Sequence, residues 1–111
     1  MRPINYISQL GVLGSHVLIG HAVHINDSEL ETLIHSKTAI ASCPWAYLKL
    51  GQGVTKFGRH PEFLSKGGRL SLGCDTENAG DNKDLLLTAR LFSGLMQEAK
   101  LELDKPASHY A

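Results

Sequence analysis

The sequence has no excess of basic residues and no long apolar run. Lysine plus arginine and aspartate plus glutamate number 11 each, so the formal net charge is zero. Nucleic acids and anionic membrane surfaces are bound through a basic excess, and neither is expected as a partner. The apolar runs are much shorter than the roughly 20 residues that cross a bilayer. Residues 1–6 also lack the apolar run of a secretory signal.

Cysteines and aromatic residues are also scarce. Cys43 and Cys74 are too few for a disulfide framework, and they lack the Cys-x-x-Cys spacing of a zinc site. They are predicted to be buried structural thiols in a cytoplasmic protein. Aromatic residues make up only 6% of the chain, so we expect a mostly aliphatic core. Histidine, by contrast, occurs six times, which is the first indication of site chemistry.

Three short apolar runs with little alternation predict strands that are buried on both faces, as in parallel sheets. They span residues 16–23, 38–43 and 69–74. Helices are expected between and after these strands, and residues 44–58, which are rich in glycine, are predicted to form a long loop.

Local signals mark the ends of the predicted helices. Ser28 and Glu31 have the spacing of a capping box, and proline after His60 is typical of a first helical turn. Apolar residues at helical spacing over 85–99 predict a longer helix at the end of the chain.

Alternation of strands and helices predicts an α/β fold with parallel strands. Two architectures fit this order: a small doubly wound sheet, and part of an eight-stranded barrel. Three strands alone make a poor parallel sheet, because both faces and both edges need covering. The sequence therefore indicates that further structure completes the fold.

Polar side chains follow the predicted strands at the ends where parallel α/β folds bind ligands. His21 ends the first strand, Cys43 ends the second, and Asp75 follows the third. An imidazole and a carboxylate at one rim can bind a metal ion or transfer protons. The plainer interpretation is a structural histidine and an aspartate that caps the next helix.

Three motifs in register resemble the amidohydrolase superfamily. They are GHAVHI at 20–25, SCP at 42–44 continuing to LKLGQG at 48–53, and LGCD at 72–75. The nearest resemblance is to the aminohydrolases and chlorohydrolases of heterocyclic amines, which include guanine and cytosine deaminases and triazine hydrolases. The resemblance implies a partial (β/α)8 barrel of about three βα units, strands six to eight, in a single partial domain over 1–111. At this length, the chain is expected to be too short for the whole catalyst.

The resemblance also implies roles for two residues. Asp75 is similar to the aspartate that binds the metal and shuttles a proton from water, and His21 is similar to the histidine that polarises the reacting carbon. The implied metal is Zn²⁺, with Fe²⁺ as the other candidate, and the remaining ligands are expected on strands before Met1. The implied reaction is hydrolysis of a non-peptide C–N bond by metal-activated water, such as deamination of a heterocyclic amine.

Two loops depart from the family pattern, which usually reads His-Cys-Pro-x-Ser-Asn where this chain has SCPWAY at 42–47. The turn after Asp75 also differs. The implied substrate is a small nitrogen heterocycle or an amidine, and its identity rests on these loops. The residues expected to contact substrate are His24, Trp45, Tyr47, Glu77 and Asn78.

The alternative hypothesis is a non-catalytic fragment or small interaction module without bound metal, which would self-associate through exposed strand edges. A free-standing nucleotide-binding domain ranks lower, because the chain lacks the glycine fingerprint that binds phosphate.

Overall fold

A computed structural model describes residues 1–76 and 83–104, with side chains to residue 100. Helices and strands alternate after an initial helix. The strands are β1 (Leu18–Gly20), β2 (Ala39–Ser42) and β3 (Leu70–Leu72). The helices are α1 (Pro3–Gln9), α2 (Asp27–Ser36), α3 (Pro44–Leu50), α4 (Val54–Phe57), α5 (His60–Ser65) and α6 (Leu85–Asp104).

The three strands form one parallel sheet in the order β1-β2-β3. Gly20 pairs with Ala41, and Ser42 pairs with Leu72, so the carboxyl ends of the strands share one edge. Parallel connections are nearly always right-handed, and a strictly sequential order then carries every crossover helix to the same face. That arrangement is typical of a barrel wall rather than a doubly wound sheet. The prediction of an α/β fold with a parallel sheet is confirmed.

The prediction of a long loop over 44–58 was wrong, because α3 and α4 occupy most of it. Pro44 stands in the first turn of α3, where its fixed φ suits a helix and its missing N–H costs nothing. Gly51 ends the helix in the left-handed conformation, at φ 67°. Both residues were visible in the sequence as helix-end signals, and they are better evidence for a helix than the glycine content is for a loop.

The amino end of α2 also differs from the prediction. The capping box is made by Asn26 and Glu29, not by Ser28 and Glu31. The Asn26 side chain accepts a hydrogen bond from the Glu29 backbone N–H at 2.9 Å, and the Glu29 carboxylate accepts one from the Asn26 N–H at 3.0 Å. Helix α1, which was not predicted, packs against α2.

Two buried clusters hold the sheet to its helices. The first lies between the sheet and α1, α2 and α5, and contains Ile4, Leu30, Leu33, Ile40 and Phe63. The second lies beside the carboxyl ends of the strands and contains Val23, Cys43, Ala46, Tyr47 and Val54. The first cluster is mostly aliphatic, whereas the second is built around a tyrosine. Over the described ranges, every helix is too short or too polar to cross a membrane.

Candidate metal centre

Three potential metal ligands meet at the carboxyl edge of the sheet. His21 directly follows β1, Cys43 directly follows β2, and Asp75 stands three positions after the end of β3. One ligand atom from each residue lies within 4.8 Å of the other two. His21 Nε2 and Asp75 Oδ2 are 3.8 Å apart. We refer to these three residues as the strand-end cluster.

The backbone at this edge adopts conformations that non-glycine residues rarely take. His21 has φ 70°, Ala22 has φ 54° and Asp75 has φ 61°. Left-handed residues of this kind cost on the order of 1 kcal/mol each and concentrate at functional sites. The His21 N–H donates to the Ala41 carbonyl at 2.7 Å, and the Asp75 carboxylate accepts from the Thr76 N–H at 2.7 Å. These hydrogen bonds hold both turns in place.

Two buried aromatic side chains support the cluster. The Cys43 N–H donates to the Tyr47 hydroxyl at 2.9 Å, and the Tyr47 ring meets the His21 ring edge-on with centroids 5.7 Å apart. Burial raises the pKa of Tyr47 to about 12, so its hydroxyl stays protonated. His60 Nε2 donates to the His21 carbonyl at 2.9 Å, and the His60 ring stacks on Tyr47. Hydrogen bonds to these two buried side chains thus hold the backbone of His21 and that of Cys43 in place.

The Cys43 sulfur is enclosed but lies next to the exposed members of the cluster. The residue is 8% exposed, and burial, together with the negative charge of Asp75, raises the pKa of its thiol. A Cβ at Gly73 would stand 3.1 Å from this sulfur, which is tighter than ordinary packing. Glycine at this position therefore leaves room for the thiol beside the end of β3.

The residues expected to contact substrate differ in how far they are exposed to solvent. His24 is exposed, and its Nε2 donates to the Gln52 carbonyl at 3.0 Å. Trp45 is half-buried, whereas Tyr47 is 1% exposed and lies beneath the cluster. Glu77 and Asn78 lie outside the described residues.

The donor set suits a zinc-like ion. An imidazole nitrogen, a thiolate sulfur and a carboxylate oxygen are the three ligand types of protein zinc sites. Two of these residues, His21 and Asp75, were predicted from the sequence, because a polar residue directly after a strand is a recognisable signal. Cys43 was predicted to be a buried structural thiol, and the structure confirms its burial, although the residue also directly follows β2.

Comparisons with known proteins bear on this geometry. No protein-family model matches the chain. A 5-methylthioadenosine/S-adenosylhomocysteine deaminase of Haloarcula marismortui is 32% identical over 84 residues, which is 76% of this chain and 18% of the relative. Among solved structures, an Escherichia coli guanine deaminase matches with a TM-score of 0.70 and 29% identity, over 81% of this chain and 20% of that one. The chain belongs to the amidohydrolase superfamily.

An adenosine deaminase from Xanthomonas campestris, solved with bound zinc, shares the fold of this superfamily member. The TM-score is 0.79 at 20% identity, over 87% of this chain and 21% of that one. The chain thus spans about a fifth of the length of the deaminases it matches. The resemblance inferred from the three sequence motifs is confirmed.

Proposed function

We propose that this chain supplies Asp75 and His21 to the active site of a metal-dependent hydrolase that deaminates a nitrogen heterocycle. The observation that carries the proposal is the 3.8 Å approach of His21 Nε2 to Asp75 Oδ2 at the carboxyl edge of a parallel sheet. The relatives are deaminases by name, and one of them is named for adenosine derivatives. An adenosine-like amine is therefore the first substrate class to test.

The chemistry follows from the two side chains. Asp75 would hold a divalent cation, and that cation would supply Lewis acidity to a water molecule. The Asp75 carboxylate accepts a proton from the attacking water and passes it to the leaving nitrogen. His21, whose side chain is 51% exposed, faces the space where a substrate ring would lie and orients the reacting carbon. The C–N bond breaks, a C–O bond replaces it, and ammonia leaves.

We propose that β1, β2 and β3 are strands six, seven and eight of a complete barrel. In that barrel, β1 and β3 would each pair with a further strand on the side away from β2, and those strands would carry the remaining metal ligands. Zinc is the first candidate metal, since the Xanthomonas campestris deaminase was solved with it. Iron(II) is the second.

His24 and Trp45 are the described residues best placed to border the substrate. His24 is exposed three positions beyond His21, and Trp45 follows the Cys43–Pro44 turn. Tyr47 is expected to act on substrate indirectly, through its contacts with His21 and Cys43. Glu77 and Asn78 remain predicted substrate contacts.

A chimera tests the proposal. The segment of the Escherichia coli guanine deaminase that matches this chain is replaced by residues 1–104, and ammonia release is measured with guanine and with adenosine derivatives. We expect zinc-dependent deamination of at least one substrate, and at least a roughly 1000-fold loss of kcat in the Asp75→Asn chimera, because a proton acceptor and metal ligand is removed.

The matched control is His35→Gln, which changes an exposed histidine on α2 and should leave turnover unchanged. A folded, zinc-loaded chimera that releases no ammonia from any of these substrates would favour the non-catalytic alternative. Unchanged turnover in the Asp75→Asn chimera would refute the role of Asp75.

A further inference from the structure

His21 is held by contacts at three points. Its N–H donates to the Ala41 carbonyl at 2.7 Å, and its carbonyl accepts from His60 Nε2 at 2.9 Å. Its ring meets the Tyr47 ring edge-on. The contacts to its carbonyl and to its ring come from His60 and Tyr47, which are each 1% exposed. A residue whose own side chain is 51% exposed is thus held from the protein interior.

The backbone at this point explains why such contacts are needed. His21 and Ala22 are consecutive left-handed residues, at φ 70° and φ 54°. This conformation is unfavourable for any residue with a Cβ, so without the contacts the chain would relax towards ordinary φ values. Because His21 directly follows β1, that relaxation would move its imidazole relative to Asp75.

His60 is itself held in place. It begins α5, and its ring stacks on Tyr47 with centroids 6.1 Å apart and planes inclined by 19°. Gly58 leaves room for the ring, since a Cβ there would lie 3.1 Å from His60 Nδ1. The Tyr47 hydroxyl also accepts from the Cys43 N–H at 2.9 Å. This stacked pair therefore holds the end of β1 through His60 and the end of β2 through Tyr47.

We propose that His60 is a positioning residue for His21, and that its Nε2–H fixes the His21 backbone so that the imidazole faces Asp75 and substrate. The inference rests on the proposed function, in which His21 orients the reacting carbon, and adds a residue that does not touch substrate. The donor is the Nε2–H, because the partner is a carbonyl oxygen, which can only accept. An apolar side chain of similar size would keep most of the packing and lose this hydrogen bond, so substitution can separate packing from positioning.

Kinetics of the deaminase chimera that carries residues 1–104 test the inference. His60→Leu should lower kcat roughly 100-fold with less than about a threefold change in KM, because a misplacement of about 1 Å has an effect of that size. His60→Gln should restore most of kcat, since the glutamine amide places an N–H near the position of the imidazole Nε2. Equal losses of kcat in His60→Leu and His60→Gln, or a raised KM at unchanged kcat, would overturn the inference.

The matched control is His35→Leu, which makes the same substitution at an exposed position of α2 and should leave kcat and KM unchanged. A loss of kcat in this control as large as that in His60→Leu would also overturn the inference, because the effect would not be specific to His60.

Hydrogen exchange of the 111-residue chain separates this inference from the proposed function. If the parent chimera releases no ammonia, the proposed function fails, and exchange still decides whether His60 holds His21. We expect the His21 amide to exchange at least about tenfold faster in His60→Leu, and the Ile40 amide, which donates to the Arg69 carbonyl at 3.0 Å, to keep its rate. An unchanged His21 rate, or equal acceleration of both amides, overturns the inference, since equal acceleration means general destabilisation.

A measurement on the unaltered chain decides if His60→Leu does not fold. Nitrogen-15 NMR of the histidine rings distinguishes a proton on Nε2 from a proton on Nδ1. A slowly exchanging Nε2 proton on His60 supports the inference, whereas a proton on Nδ1, or rapid exchange with solvent, overturns it.

Discussion

His60 shows how a single buried residue shapes the site without belonging to it. It is 1% exposed, it donates through Nε2 to the His21 carbonyl, and its Nδ1 finds no hydrogen-bond partner within residues 1–76 and 83–104. Burial lowers its pKa, and the hydrogen bond to His21 offsets only part of that effect. His60 is therefore neutral in the folded chain at neutral pH.

This neutral histidine makes stability depend on pH. The unfolded chain takes up a proton at His60 near pH 6.5, whereas the folded chain resists protonation to lower pH. The stabilisation is fully present above about pH 6.5 and is lost as the pH falls below that value. Urea unfolding between pH 7.5 and 5.5 should show His60→Gln with a flatter pH dependence than the parent, by up to about 1.4 kcal/mol per pH unit.

The control for this measurement is His35→Gln, which removes an exposed histidine and should keep the parental slope. Equal slopes in the parent and in His60→Gln would mean that His60 is not held neutral by burial.

Single residues also show what the sequence could predict. His21 and Asp75 were found because each follows a recognisable strand, and the structure brings them together. Cys43 was predicted to be a buried thiol, which the structure confirms, whereas the support that His60 gives to the site was not predicted, because a histidine before a proline has commoner structural explanations. Only the packing of Tyr47 between them shows that both residues serve the same edge of the sheet.

Among the secondary-structure elements, α1 and α2 depend on one buried carboxylate. Glu29 is 1% exposed and accepts hydrogen bonds from the Asn26 N–H, the Arg2 guanidinium and the Ile4 N–H. Burial by itself would raise its pKa, but these hydrogen bonds prevail and hold the pKa below its ordinary value. Glu29 thus caps α2 and ties α1 to it.

Glu29→Gln should therefore destabilise the chain by about 2–4 kcal/mol in urea unfolding at neutral pH, because it weakens charge-assisted bonds at a buried position. Glu31→Gln, on the same helix, changes an exposed carboxylate paired with Lys66 and should have a much smaller effect. Similar losses in the two variants would contradict the role given to Glu29.

Prediction of the elements succeeded where the apolar pattern was strong. All three strands lie inside the predicted apolar runs, and α5 and α6 lie where helices were expected. Helix α1 and the short helices α3 and α4 were not predicted from the sequence, because helices of four to seven residues have too few turns for a helical period to appear in the apolar pattern. The residues at the two ends of α3, Pro44 and Gly51, would have been enough to predict that helix.

In the solved deaminases that this chain matches, the equivalent region is about a fifth of a longer chain. The described part has three strands, and the outer sides of β1 and β3 pair with no other described strand. Barrels remove such edges by closure. Self-association through these edges remains a prediction, so metal content must be measured on monomer isolated by size-exclusion chromatography.

Zinc stoichiometry of the chimera that carries this chain is the most direct test of the claim that Asp75 is a ligand of a metal site at the strand ends. After equilibration with zinc and removal of the excess, elemental analysis should find one zinc per chain. It should find far less in Asp75→Asn, and an unchanged value in Glu98→Gln, an exposed carboxylate on α6. A zinc-free parent chimera, or equal zinc in the parent and Asp75→Asn, would contradict the account.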